Sequence, residues 1–171
     1  MQKQRSSSML EGKVALITGA ASGIGEETVR LFAEHGAVIV AADIQDEEGE
    51  KVAASIGSER VSYHHCDVRD ENQVEETINF TLEKHGRIDI LFSNAGIIGS
   101  LSGILDLDLN EFDNTMATNV RGVAATKSTR HVPWSPKASA DPSYAPPVSL
   151  PQLAERVLTV IPHQNTLLRG W

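Results

Sequence analysis

The chain has 171 residues and a formal net charge of −8 at pH 7, a length that suits a single domain with one sizeable core. The negative charge argues against nucleic acid or an anionic membrane surface as the main partner. Because Cys66 is the only cysteine, a disulfide framework and a thiolate metal cluster are both excluded. We find neither the apolar core of a signal peptide nor a run long enough to span a bilayer, so we expect a cytoplasmic protein.

Apolar runs, which predict buried strands, then alternate with stretches of helical periodicity. The predicted strands are Lys13–Thr18, Val38–Asp43, Arg60–Cys66 and Ile88–Ser93. The predicted helices are Gly23–His35, Asp46–Ile56, Asp70–His85 and a stretch from Leu109 to about Lys127. This alternation predicts an α/β fold with a doubly wound parallel sheet, in which ligands bind beyond the carboxyl ends of the strands.

A glycine-rich turn joins the first predicted strand to the first predicted helix. It reads Thr18-Gly19-Ala20-Ala21-Ser22-Gly23-Ile24-Gly25. Glycines let the backbone approach a pyrophosphate, and free N–H groups at the helix N-terminus favour an anion. Asp43 ends the second predicted strand, where a carboxylate can accept hydrogen bonds from an adenosine ribose and repel a 2′-phosphate. Together these features predict dinucleotide binding, with NAD favoured over NADP.

Two further motifs follow predicted strands. Asp67-Val68 comes after the third strand, and Asn94-Ala95-Gly96 comes after the fourth. The third strand also ends in His64-His65-Cys66, which has the residue types of a metal site. Neighbouring strand residues face opposite sides of a sheet, however, so we expect no metal there.

Residues 10–127 resemble the short-chain dehydrogenases/reductases, and Phe92-Ser93-Asn94-Ala95-Gly96-Ile97 with Asp43 is most similar to the plant enzymes related to secoisolariciresinol dehydrogenase. The resemblance implies a Rossmann-type fold and a homo-oligomer. It also implies NAD-dependent oxidation or reduction of a secondary alcohol or ketone on a small lignan, terpenoid or steroid-like skeleton. Asn119 would be the catalytic-helix asparagine that anchors a proton-relay water. The implied cofactor-binding residues are Thr18, Gly19, Ser22, Gly23, Ile24, Gly25, Asp43, Ile44, Asp67, Val68, Asn94, Ala95 and Gly96.

The same resemblance implies a catalytic serine and a tyrosine followed four residues later by a lysine, which lowers the pKa of the tyrosine. Tyr63 falls within the third predicted strand, and Tyr144 is followed by Val148 where the lysine is expected. We therefore expect the chain to be inactive alone and to bind NAD weakly. Ile88–Phe92 would form an uncovered apolar edge, and the oligomer interface would be incomplete. The alternative is a non-catalytic NAD-binding or interaction module that pairs with a full-length relative.

Composition changes after Lys127, because all seven prolines and both tryptophans follow it. This change predicts a flexible N-terminus over 1–9, a partial NAD-binding domain over 10–127 and a Pro-rich disordered tail over 128–171. Codons for Val160–Asn165 can be chosen so that an offset frame reads Tyr-Thr-Thr-Ser-Lys, the missing catalytic motif. The tail is therefore interpreted as an out-of-frame product, with a genuine alternative tail as the competing hypothesis.

Overall fold

The computed structural model describes residues 9–128, in which four strands alternate with helices. The strands are β1 Val14–Thr18, β2 Val38–Asp43, β3 Val61–His65 and β4 Ile90–Ser93. The helices are α1 Gly23–Glu34, α2 Asp46–Ile56, α3 Glu71–His85, α4 Leu109–Met116 and α5 Gly122–Ser128. A π-helical segment, Ala117–Arg121, joins α4 to α5, and a 3₁₀ turn at Ile104–Asp106 precedes α4.

All strand pairs are parallel, and the order in the sheet is β3-β2-β1-β4. The predicted α/β fold of the Rossmann type is therefore confirmed. The register places Thr18 opposite both Ala42 and Ser93, and Asp43 opposite His65. The carboxyl ends of the strands thus meet at one edge of the sheet, where the sequence motifs follow them.

Helices cover both faces of the sheet because strand side chains point to alternate sides. On one face Leu16 and Val40 pack in a buried cluster with Val74 and Ile78 of α3. On the other face the ring of Tyr63 lies so close to α2 that a Cβ at Gly49 would overlap it. Every residue of β1 is buried, as expected for a strand that has a neighbour on each side and helices above and below.

Strand β4 differs from its predicted form, since it begins at Ile90 instead of Ile88 and its four residues are only half-buried. The physical reason is its position: within residues 9–128, β4 has β1 on one side and no strand on the other. Just before β4, the Asp89 carboxylate accepts a hydrogen bond of 2.8 Å from the main-chain N–H of Val14. This bond connects the two chain segments that enter β1 and β4.

The predicted helix from Leu109 to about Lys127 is confirmed in its extent, since helical residues follow one another from Leu109 to Ser128. The sequence did not predict the change of helix type within it. The stretch divides into α4, the π-helical segment and α5. None of the helices within residues 9–128 has the length and apolar character needed to cross a membrane. Residues 1–8 of the predicted flexible N-terminus lie outside the described residues, as do Tyr144 and the rest of the tail after Ser128.

Candidate cofactor site

The glycine-rich turn between β1 and α1 is a place of very close backbone packing. Gly19 has φ +66°, and a Cβ added to it would lie 2.7 Å from the Cα of Ala95. A Cβ on Gly25 would overlap the carbonyl oxygen of Gly19. Any side chain at either position would therefore push the turn away from the end of β4 or away from α1.

Helix α1 presents an uncapped N-terminus beside this turn. Ser22 is the N-cap residue with extended backbone, and its side chain makes no capping hydrogen bond. Gly23 is exposed and Ile24 is 48% exposed. The first N–H groups of a helix have no partner within the helix and carry its positive dipole end, so this turn is chemically suited to an anion such as a pyrophosphate.

Asp43 is almost fully buried, with 7% of its surface exposed, and its carboxylate connects two loops. Oδ2 accepts a hydrogen bond of 2.9 Å from the main-chain N–H of Ala21 in the glycine-rich turn. Oδ1 accepts one of 3.1 Å from the main-chain N–H of Gln45 in the β2–α2 loop. Each oxygen retains accepting capacity for a ligand hydroxyl. The sequence identified Asp43 but could not show that Ala21 holds it.

Asn94 connects the end of β4 to the glycine-rich turn. Its side-chain amide donates hydrogen bonds to the carbonyl oxygens of Thr18, at 3.2 Å, and Gly19, at 3.1 Å. In return the Thr18 hydroxyl accepts from the main-chain N–H groups of Asn94 and Ala95. Thr18 is buried, and these bonds occupy both its hydroxyl and its carbonyl. Thr18 and Asn94, both predicted as cofactor-binding residues, therefore stabilise the conformation of the turn through hydrogen bonds to its backbone.

Asp67 lies just beyond β3, and Arg69 binds its carboxylate in a two-point contact. Arg69 Nη2 donates to Oδ2 at 2.6 Å, and Nε donates to Oδ1 at 2.9 Å. This arginine holds the pKa of the Asp67 carboxyl below its ordinary range, since it donates to the charged form. Next to it Val68 is buried, whereas Ile44, after Asp43, is 55% exposed. Arg69 was not predicted from the sequence as a site residue, although it lies only two positions after Asp67.

Asn119 lies in the π-helical segment and binds the loop that follows β4. Its Oδ1 accepts from the main-chain N–H of Ile97 at 2.9 Å, and its Nδ2 donates to the carbonyl oxygen of Ile97 at 2.8 Å. These two bonds occupy both ends of the side-chain amide. Gly96 lies beside it, because a Cβ there would be 3.3 Å from Asn119 Oδ1. The predicted Asn94-Ala95-Gly96 motif thus lies between the glycine-rich turn and Asn119.

The histidines of β3 point to opposite sides of the sheet, as predicted. His64 Nδ1 lies 3.0 Å from the hydroxyl of Thr77 on α3, whereas His65 Nδ1 lies 2.7 Å from the Asp46 carboxylate on α2. Tyr63 donates to the same carboxylate at 2.8 Å, and burial raises the pKa of its phenol. The part of the chain that the structure describes holds no group of three potential metal ligands.

An open cleft of about 440 Å³ lies between the segment that follows Gly96 and helix α4. Ile97 and residues 99–102 form one wall, and Glu111, Asn114 and Thr115 of α4 contribute to the other. The cleft is beyond the carboxyl end of β4, on the side of the site away from β2 and Asp43. Its lining mixes polar side chains with the apolar Ile97 and Leu101.

The chain is similar to known proteins in sequence and in fold. The family model described as short chain dehydrogenase matches residues 13–132. A solved structure, the 3-ketoacyl-(acyl-carrier-protein) reductase from Brucella melitensis complexed with NADH, superposes with a TM-score of 0.66 at 40% identity. The match covers 68% of this chain and 48% of the reductase.

Curated plant proteins are similar over the same part. Short-chain dehydrogenase reductase 3b of Arabidopsis thaliana is 59% identical over 116 residues, covering 68% of this chain and 45% of the relative. The (-)-isopiperitenol/(-)-carveol dehydrogenase, mitochondrial, of Mentha piperita is 52% identical over 118 residues, covering 68% of this chain and 44% of the relative. The chain thus spans less than half the length of these relatives.

Proposed function

Because the chain belongs to the short-chain dehydrogenase family, we propose that its Rossmann-type half binds NAD, in preference to NADP, for an alcohol–ketone oxidoreduction. The observation that carries the proposal is the position of the Asp43 carboxylate. It is held by the N–H of Ala21, directly beside the uncapped N-terminus of α1. An anion site and a ribose acceptor therefore lie in adjacent loops, as a dinucleotide requires.

The proposed contacts follow the geometry of the strand ends. The pyrophosphate would lie against the turn from Gly19 to Gly25, with the ribose hydroxyls on Asp43. The adenine would lie between Ile44 and the Asp67-Val68 pair. Asn94-Ala95-Gly96 would line the path toward the nicotinamide, and Ser22, Gly23 and Ile24 would contribute main-chain N–H groups from the first turn of α1.

The preference for NAD rests on charge and desolvation. A 2′-phosphate would meet a buried carboxylate that accepts from the main-chain N–H groups of Ala21 and Gln45 and from the Gln45 side-chain amide, with no arginine or lysine bonded to it. Two anions brought together at low exposure repel strongly, since water cannot screen them there. A ribose hydroxyl, by contrast, can donate to the same oxygen.

The proposed reaction is that of the family, the oxidation of a secondary alcohol or the reduction of a ketone on a small cyclic skeleton. The name of the peppermint relative, a carveol dehydrogenase, supports the terpenoid class. When bound, NAD would supply the hydride acceptor. Asn119 would anchor a proton-relay water through its main chain, because its side-chain amide is occupied by Ile97. The missing Tyr-x-x-x-Lys motif implies that this chain alone does not turn over.

The test is a calorimetric titration of the purified chain with NAD and with NADP under identical conditions. We expect weak but measurable NAD binding and little or no NADP binding. Equal affinity for both would refute the role of Asp43, and no binding of either would refute cofactor binding altogether. A parallel assay of NADH formation with secondary alcohols separates binding from turnover.

A second candidate function is a non-catalytic module that pairs with a full-length relative. It is favoured by the edge position of β4 within the described residues and by exposed apolar side chains on α4. Of these, Leu109 is 68% exposed and Phe112 is 45% exposed. Size-exclusion chromatography with light scattering, after co-expression with a full-length relative, tests this pairing. Elution of the two proteins as separate species, with no peak that contains both, would exclude it.

The compartment is a separate proposal. We propose the cytoplasm, although the Mentha piperita relative has the word mitochondrial in its name. Imaging of the chain fused through its C-terminus to a fluorescent protein tests this, and co-localisation with a mitochondrial dye would contradict it.

A further inference from the structure

Arg69 holds the carboxylate of Asp67 in one orientation. Oδ1 accepts from the main-chain N–H and the Nε of Arg69, both at 2.9 Å. Oδ2 accepts from Nη2 at 2.6 Å and from the shared Nε at 3.0 Å. A planar guanidinium that matches both oxygens fixes the plane of the carboxylate as well as its position. The donors to Oδ2 all belong to the Arg69 side chain, so the position of this oxygen depends most directly on that side chain.

Arg69 is in turn held from α4 and from the π-helical segment. Its Nη1 donates to Oδ1 of Asn114 at 2.6 Å. Its carbonyl oxygen accepts from Arg121 Nη1 at 2.9 Å, and Arg121 Nη2 also donates to Glu71 at 2.6 Å. The guanidinium of Arg69 is therefore bonded both to Asp67 and to Asn114, so its long side chain is ordered before any ligand binds.

The backbone of the same loop is supported independently of the arginine side chain. Val68 has 6% of its surface exposed. A Cβ on Gly122 would lie 2.7 Å from Val68 Cγ2 and 3.2 Å from the Val68 carbonyl oxygen. Helix α5 thus packs directly against the loop. Removal of the Arg69 side chain should release the Asp67 carboxylate more than it disturbs the fold.

We propose that Arg69 is a positioning residue for adenine recognition, fixing Asp67 so that Oδ2 accepts a hydrogen bond from the 6-amino group. This inference rests on the proposed function, in which Asp67 meets the adenine of NAD. The arginine also keeps the pKa of the Asp67 carboxyl low, so the group stays an acceptor near neutral pH. A fixed acceptor favours a 6-amino purine over a 6-oxo purine, whose oxygen would face the carboxylate.

The experiment compares NAD with nicotinamide hypoxanthine dinucleotide, which carries a 6-oxo group, by calorimetric titration. We expect the wild-type chain to prefer NAD. In Arg69→Met the NAD affinity should fall about three- to tenfold, less than the full value of a hydrogen bond to a charged group because the Asp67 carboxylate itself remains. The preference between the two dinucleotides should largely disappear. Arg69→Lys retains the charge without the two-point contact. Its NAD affinity and its preference for NAD should lie between those of the wild type and those of Arg69→Met.

Arg30→Met is the control, since Arg30 also forms an ion pair with a carboxylate, that of Glu26 on α1, with Nη2 to Oε1 at 2.7 Å. It should leave the preference unchanged. A carboxyl NMR titration gives a readout without nucleotide, in which the pKa of Asp67 should rise in Arg69→Met. Thermal melting monitored by circular dichroism reports whether each variant is folded.

The outcomes separate the two proposals. Wild-type selectivity for NAD that persists unchanged in folded Arg69→Met and Arg69→Lys overturns the role of Arg69 alone. Tighter NAD binding in Arg69→Met also overturns it, because the arginine would then be competing with adenine for the carboxylate. Failure of both variants to fold contradicts the argument from Gly122 packing. Absence of NAD binding by the wild-type chain overturns the proposed function, and this inference with it.

Discussion

Asp43→Asn is the most informative substitution, because one buried carboxylate has both a structural and a specificity role. In the wild type its two oxygens accept the N–H groups of Ala21 at 2.9 Å and Gln45 at 3.1 Å. Asparagine keeps the shape but replaces one oxygen with an NH₂ group. One of the two main-chain N–H groups would then face another donor at a site that is only 7% exposed.

The expected loss of stability follows from that lost acceptor. A hydrogen bond to a charged group contributes about 1.5–3 kcal/mol, and a buried donor left without a partner costs a similar amount. We therefore expect the free energy of unfolding to fall by about 2 kcal/mol. For a chain near this size each kcal/mol lowers Tm by roughly 2–4 °C. Urea denaturation followed by circular dichroism measures the loss.

The same substitution should also change cofactor selectivity. Without the negative charge, repulsion of a 2′-phosphate is removed and one ribose acceptor is lost. NAD affinity should therefore fall while NADP affinity stays level or rises, so that the ratio of the two dissociation constants narrows about tenfold, the equivalent of about 1.4 kcal/mol. Calorimetric titration with both dinucleotides gives this ratio directly.

Asp89→Asn is the matched control, because the Asp89 carboxylate also accepts a main-chain N–H, that of Val14 at 2.8 Å. It lies at the amino ends of β1 and β4, at the opposite end of the sheet from Asp43. Asp89→Asn should lower stability and leave the cofactor ratio unchanged. If Asp43→Asn behaves identically to this control, the reasoning that assigns Asp43 to the ribose is refuted.

Three further substitutions test separate parts of the site. Gly25→Ala should abolish NAD binding in titrations, since the added Cβ overlaps a carbonyl oxygen of the glycine-rich turn; undiminished affinity would contradict the close packing. Asp46→Asn tests pH dependence: hydrogen bonding from His65 lowers the pKa of Asp46, so the stability that it contributes is present above the ordinary carboxyl pKa of about 4 and is lost as pH falls below it. Acid titrations of stability should therefore be shallower in the variant, and identical curves would refute this linkage. Asn119→Ala removes two hydrogen bonds to Ile97 and should cost about 1 kcal/mol. Amide exchange at Ile97 should accelerate, whereas an unchanged rate would mean that the loop is held elsewhere.

Much of the architecture could be predicted because it depends on local patterns. Continuous apolar runs predicted the strands, and the alternation with helices predicted a parallel sheet with polar motifs at its carboxyl edge. The glycine-rich turn was recognisable because a strand, closely spaced glycines and a helix follow one another directly along the chain. Gly19 and Gly25 are needed for contacts that lie within this short segment or at the end of β4.

Only the tertiary structure determined the contacts between residues that are far apart along the chain. No sequence pattern predicts that the Asp43 carboxylate binds Ala21, that Arg69 connects Asp67 to Asn114, or that Ile97 occupies the amide of Asn119. The π-helical segment that contains Asn119 was missed for the same reason, since the helix continues through it. Periodicity and spacing specify which face of an element is apolar and where it ends. The partner of each polar side chain depends on how the elements pack, and that is set by the whole chain.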